Sequence, residues 1–415
     1  MRCLMKLLVL SIVSGILAGC ASGPAPITAA QRAARHVKTL QDAGLQYYWK
    51  CDELPGLLSV GEKIDRTYLI DENFYCLTTR NRLIAIDAAR GILRWTKWVH
   101  VAKPGVKVYD PVHAKNVMIP RIPPTRKEIL QPKDRIGRKI KAFNAVIIST
   151  RTDALLIDRA NGDEIRHIQY NFAAGASAGV CSDGRLLFVP DARGWYHAIL
   201  LHQMLENWTL SVEGAITLPP RYVDDKVIVV SDKGRVQVAS TFETRKKIWT
   251  RAIGTAIGAP VLATRDQLLV PGMDRRLHAF DPTTGRKLWE PFDCKKPLKD
   301  VPQTSEISAF QYARGGEFYA LAVVTGKLRW SLPDARKVLA AMNRNVYLQD
   351  NRNRILVVDE ILGETNASVQ MPPSDLLTAN TTAPGIYGAS RSGKVYCLRS
   401  IDAGHITAEM LRKKN

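Results

Sequence analysis

Gln267-Leu-Leu-Val-Pro-Gly-Met-Asp-Arg-Arg-Leu-His-Ala-Phe-Asp281-Pro-Thr-Thr-Gly285-Arg-Lys-Leu-Trp289 decides how the rest of the chain is read. Two apolar runs flank a turn at Gly272 and Asp274. A second turn, Asp281 to Gly285, leads into a third short run that ends in Trp289. Strand, turn, strand, turn, strand is an antiparallel meander. One such sheet has two bare edges and too little apolar surface to stand alone, so it needs neighbours of its own kind.

The chain supplies them. Asp87-Ala-Ala-Arg-Gly91-Ile-Leu-Arg-Trp95 repeats the turn and its tryptophan, and Val323-Val-Thr-Gly326-Lys-Leu-Arg-Trp330 is a third copy. Asp158-Arg-Ala-Asn-Gly162 keeps the turn but has Arg166 where the tryptophan belongs. Thr241 to Trp249 keeps the tryptophan and loses the glycine, and Asp359 to Gly363 keeps only the turn. A unit around Gly194 and Trp208 is the most degenerate, and Gly393 to Arg399 has a third strand and then no fourth. Equivalent turns fall near residues 87, 158, 201, 242, 281, 323, 359 and 399. The period of about 40 residues, without a helical pattern, predicts four-stranded propeller blades. The first interval is longer by a basic insertion at about 102–141. Leu45-Gln-Tyr-Tyr-Trp49 is an orphan strand able to complete the last unit. The reading is an all-β propeller of eight blades over 44–400, closed by that N-terminal strand, with seven blades as the alternative and 401–415 as a tail.

These repeats resemble the PQQ-like (pyrroloquinoline-quinone-type) β-propeller family, whose signature Ala-x-Asp-x-x-Thr-Gly-x-x-x-Trp is met by Ala279 through Trp289. The glycine permits the positive φ of a tight turn. The tryptophan is expected between neighbouring blades, burying a large ring. Asp87, Gly91, Trp95, Gly162, Trp249, Asp281, Gly285, Trp289, Gly326, Trp330 and Gly363 therefore read as structural repeat positions. The family also contains quinone-dependent dehydrogenases, which typically carry an adjacent cysteine pair under the cofactor. No Cys-Cys pair and no Cys-x-x-Cys-His haem motif occurs in this chain, so no cofactor and no enzymatic activity are expected. Five cysteines follow Cys20: Cys51, Cys76, Cys181, Cys294 and Cys397. Cys51 and Cys397 both fall in the composite blade, but aligning Tyr396 with His278 sets Tyr48 opposite Cys397, which favours free thiols. The eight histidines share no metal-ligand spacing. Asn207 and Asn366 head formal sequons.

The start of the chain reads as a leader over 1–19. Arg2 and Lys6 precede an apolar Leu7 to Leu17 core too short to span a bilayer. Leu17-Ala18-Gly19-Cys20 resembles the bacterial lipobox, which implies a diacylglycerol on Cys20 and durable anchoring. Ala21 after the cysteine implies the outer membrane. Residues 21–27 look like a tether. Thr28 and Gln31 suit a capping box for a short helix over 29–43, an alanine-rich spacer at least as readily as a partner-binding helix.

The formal net charge is +20, and loss of Arg2 and Lys6 with the leader leaves about +18. Such a charge favours anionic partners. Within the insertion, Arg121, Arg126, Lys127, Lys133, Arg135, Arg138, Lys139 and Lys141 form a candidate basic interaction arm, interrupted by prolines that exclude regular structure. Basic residues without interleaved aromatics on an exported chain argue against nucleic acid. Lipobox, tether and propeller together resemble the propeller lipoprotein of the outer-membrane β-barrel assembly machinery. That resemblance implies a non-catalytic periplasmic scaffold, monomeric within a complex, with assembly proteins as partners. The alternatives are a general periplasmic or surface lipoprotein that binds glycans or a partner protein, and a quinone-dependent dehydrogenase. What is individual to this chain lies at Cys20, the basic insertion and the irregular third and fourth units.

Overall fold

The structure, a computed structural model, describes residues 28–101, 105–118 and 142–412. Its strands form eight four-stranded antiparallel sheets, seven of them in simple sequence order. Blade 1 runs over 64–98, blade 2 over 112–169, blade 3 over 181–211 and blade 4 over 221–252. Blades 5, 6 and 7 cover 262–293, 303–332 and 335–370. Blade 8 takes three strands from 376–400 and its outermost strand, Leu45–Cys51, from the other end of the chain. The ring thus has eight blades, not seven, and closes through the N-terminal strand.

One local rule holds most of the ring together. In the turns before the outermost strands of blades 1, 5 and 7, an aspartate oxygen accepts successive backbone N–H groups. Asp281 Oδ1 takes those of Thr283 (2.7 Å) and Thr284 (2.9 Å), and Asp87 Oδ1 takes those of Ala89 and Arg90. The chain then passes through a glycine at positive φ, Gly285 at 69° and Gly91 at 73°. Over that glycine lies the tryptophan of the preceding blade. A Cβ on Gly285 would come within 2.7 Å of Trp249, one on Gly326 within 2.3 Å of Trp289, and one on Gly363 within 2.4 Å of Trp330. Trp95 covers Gly162 in the same way, and Trp49 of the closing strand covers Gly91. The absent side chain is what lets the indole lie flat.

Most of these rings also donate Nε1–H to the carbonyl just after the turn's first residue. The acceptors are Ala88 for Trp49, Arg159 for Trp95, Pro282 for Trp249 and Glu360 for Trp330, at 2.9–3.0 Å. Trp289 Nε1 is buried without an acceptor, and the equivalent carbonyl, Val323 O, accepts from Gln267 Nε2 at 3.0 Å.

Three seams depart from the rule. Between blades 2 and 3, Met204 holds the glycine's place at φ 58°, and Arg166 stands buried where the indole would be. Between blades 3 and 4 the turn is one residue longer, and Trp208 is buried against Phe188 and Tyr196 instead. Between blades 7 and 8 the tryptophan position is Ala367. There the helix Ala29–Asp42 docks, with Leu40 fully buried in the same core cluster as Ala367, Val369 and Leu398. The helix is packed against the ring, where the sequence left it as a loose spacer or a partner-binding element. It fills the seam that lacks an indole, and its Thr28–Gln31 capping box is formed as the sequence suggests.

Two further expectations change. The interval 102–141 is not insertion throughout, since Val112–Val117 is the innermost strand of blade 2. In the closing blade a bulge at Tyr48 sets Trp49, not Tyr48, opposite Cys397, while Cys51 faces Val395. Both thiols are free and buried. The segment after blade 8 folds back over the closing seam, where Ile406 and Leu411 are buried beside Trp49 and Ile406 N–H donates to Tyr48 Oη at 3.0 Å.

Candidate interaction surfaces

The innermost strands carry cations that staple one blade to the next. Arg66 Nη2 donates to Val108 O at 2.8 Å and its Nη1 pairs with Asp110 at 2.6 Å. Arg221 Nε donates to Val261 O at 3.2 Å, and Lys337 Nζ donates to Leu377 O. Burial pushes the pKa of Arg221 and of Lys337 downward, the mark of a cation held away from water. Arg82 is likewise held by Glu62 through two bonds, Nε at 3.1 Å and Nη2 at 2.6 Å.

Three of the histidines are occupied locally. His278 bonds Asp274 at 3.1 Å and stacks against Phe280, with burial lowering its pKa. His197 is packed flat on Phe172 at 3.8 Å between rings, with Glu206 at 2.7 Å on Nδ1. His167 meets Asp153 at 2.7 Å. Among the described residues no group of three or more His, Cys, Asp or Glu side chains could hold a metal ion. The five cysteines of the propeller are buried in apolar surroundings, and desolvation raises each thiol, Cys294 to about 12, which suppresses the reactive thiolate.

What remains open to partners are the ring's faces. On one face, beneath blades 2 and 3, a depression is lined by Asn116, Met118, Asp183, Gly184, Arg185 and His202. Met118 is the last described residue before the basic segment, so Arg121, Arg126, Lys127, Lys133, Arg135, Arg138, Lys139 and Lys141 lie outside the described residues. Cys20 lies outside them too. The repeat positions come together in pairs across the blade seams. Sequence reasoning missed Leu40, Gln267 and Arg159 as partners in that cement. Only the missing tryptophan at Ala367 could have pointed to Leu40.

The same face carries the turns before the outermost strands. Their tips mix polar side chains, Arg90, Asn161, Gln203 and Thr283 among them, with exposed aliphatic ones, Val324 (80%) and Leu362 (65%), while Leu205 (58%) and Ile92 (55%) are exposed just after the turns of blades 3 and 1, and blade 4 exposes Phe242.

A closed ring of eight blades with open turn faces is a β-propeller scaffold for protein interaction. A family model described as outer membrane protein assembly factor BamB matches residues 150–290 and 237–401, and the chain belongs to that family. Its fold is similar to the crystal structure of BamB from Moraxella catarrhalis, with 14% identity and a TM-score of 0.60 over 87% of this chain and 99% of that one. It is also similar to the C-terminal WD40 domain of Sif2 (10% identity, TM-score 0.58, 86% and 98% covered). The computationally designed Ika8 protein gives 13% identity and a TM-score of 0.57 over 81% and 96%. At these identities the likeness is one of fold. No curated protein matches the chain in sequence.

Proposed function

We propose that this protein is a non-catalytic, membrane-anchored scaffold in the assembly of outer-membrane β-barrel proteins. The observation that carries the reading is the family match over residues 150–401, taken together with Leu17-Ala18-Gly19-Cys20 at the end of an apolar leader. Cys20 bears the lipid, the anchor sits in the outer membrane, and the propeller faces the periplasm as a monomer within a larger complex. Rigid blades hold their turns at fixed positions, so partner proteins meet a preformed surface and pay little ordering entropy. No cofactor takes part. The basic arm from Arg121 to Lys141 reaches acidic partner proteins from the seam of blades 2 and 3.

Two outcomes test this. The tagged mature protein is expected to capture the periplasmic part of a barrel insertase from solubilised envelopes. Recovery of an unrelated complex, or of nothing, sinks the assembly role. Deletion of 121–140 is expected to weaken that capture by about tenfold at low salt and less at high salt, as screened charges require. Separately, the Cys20→Ala protein is expected to leave the membrane fraction. If it still pellets with membranes, the acyl anchor is wrong.

A further inference from the structure

We propose that residues 403–412 are a lock on the ring. They clamp the closing strand Leu45–Cys51 into blade 8, and without them the ring opens there while the other seven blades stay folded. That strand is unlike its counterparts. Seven outermost strands follow their partners through a short turn, whereas Leu45 pairs with Ser400 from the opposite end of the chain. No turn joins the two, so their pairing carries a closure entropy that a hairpin does not. As an outermost strand it is also bonded to a neighbour on one side only. The docked helix Ala29–Asp42 leads directly into it, so a pull on the N-terminal end falls on the helix and this strand first.

The tail is placed to hold it. A bulge leaves Tyr48 out of the strand's ladder and re-aims its side chain toward the segment after blade 8. There the phenol is gripped from two sides. The Arg399 guanidinium sits over its ring, 5.2 Å from the centroid. Its Oη accepts the Ile406 N–H at 3.0 Å and lies 3.4 Å from His405 Nδ1. Arg399 in turn donates to Gly404 O and, at 2.8 Å, to Pro384 O, which fixes the bend of the tail on blade 8. Beyond the bend, Ile406 and Leu411 are 6% and 3% exposed. They share one cluster with Trp49 and Cys51 of the closing strand, Cys397 of blade 8, and Phe74 and Cys76 of blade 1. Arg412 lies 3.9 Å from Glu72, also on blade 1. The tail thus starts on blade 8, crosses the closing strand and lands on blade 1. The strand cannot leave unless the tail does.

The buried thiols report the opening. Cys51 and Cys397 lie at the closing seam and Cys76 beside it in blade 1, while Cys181 is in blade 3 and Cys294 follows blade 5. Thiol labelling of the mature protein in native buffer, mapped cysteine by cysteine, is compared with that of the chain lacking 403–415. The deletion is expected to speed labelling of Cys51 and Cys397 at least about tenfold, since it removes two buried aliphatic side chains from the seam. Cys181 and Cys294 are expected to keep their wild-type rates. Tyr48→Phe keeps the aromatic ring and loses the acceptor of the Ile406 N–H, so it carries the test should the shortened chain fail to fold. About fivefold faster labelling at the same two thiols is expected from it. Labelling that rises equally at all five cysteines overturns the proposal, because the tail would then stabilise the propeller as a whole. Labelling that rises at none overturns it too, because the strand would then stay closed without the tail.

Discussion

Trp330→Ala is expected to destabilise the propeller by about 3–5 kcal/mol in urea unfolding, the range for deleting a buried large aromatic side chain. The ring fills the space over Gly363 and its Nε1–H satisfies Glu360 O at 2.9 Å. A comparison between two seams separates packing from hydrogen bonding. Trp330 and Trp289 are both about 7% exposed, but only Trp330 has an acceptor for its N–H. Changing each to phenylalanine removes a similar volume, so Trp330→Phe is expected to cost about 1 kcal/mol more than Trp289→Phe. Gly363→Ala is the mirror experiment. Its Cβ would lie 2.4 Å from Trp330 Cγ at a backbone φ of 75°. In the Trp330→Ala background the overlap with the ring atoms disappears, leaving the 2.5 Å approach to the retained Cβ of residue 330, which the vacated space lets relax, and the strain of an alanine at positive φ, about 1–2 kcal/mol. The two substitutions together should therefore cost clearly less than the sum of the two alone. Strict additivity would mean that the indole does not lie on that glycine.

The same seams explain what could be read from the chain beforehand. Tryptophan, aspartate and glycine at fixed offsets are demanded by one contact, so they recur visibly wherever that contact is made, and the blade count followed from them. Contacts made by other means leave no such trace. Leu40 fills the seam at Ala367, yet the helix that carries it shows one large buried aliphatic residue among alanines and charges. Innermost strands are equally silent. Leu262–Ala263, Gln303–Thr304 and Leu376–Leu377 are two residues long, and Val112-His-Ala-Lys-Asn-Val117 is a polar run that reads as part of the insertion. The interior end of a blade is narrow, and two hydrogen-bonded residues there are too few to show a period. The bulge at Tyr48 shifts the closing strand by one residue, a change that spacing alone does not reveal.

The second large effect is expected at Arg159, the residue after the turn aspartate of blade 2. Its side chain is only 2% exposed. Nη1 meets Asp71 at 2.6 Å and Nη2 meets both oxygens of Glu72 at 3.0 Å, which ties the turn of blade 2 to the first hairpin of blade 1. The Asp71 side chain is as buried as the guanidinium. Arg159→Met keeps most of the volume and removes the charge, leaving the buried carboxylate of Asp71 without its guanidinium and Glu72 with only the longer approach of Arg412 at 3.9 Å. Breaking a buried pair from one side costs about 3–5 kcal/mol. The pH dependence distinguishes this from lost packing. Burial alone would raise the pKa of Asp71, but His113 and Arg159 outweigh it and hold the group below its ordinary value of 3.8. In the wild type this contribution is present above pH 3.8 and fades as pH falls through the lower, folded pKa. In Arg159→Met the burial effect is less opposed and the folded pKa of Asp71 moves up. The penalty is then full at pH 7 and shrinks on acidification, as protonation removes the stranded charge. Urea unfolding of both proteins at neutral pH and near pH 4.5 should show the gap narrowing, and Asp71→Asn added to Arg159→Met should recover part of the loss at pH 7. A gap that is the same at both pH values would mean that Arg159 acts through its methylenes and not through its charge.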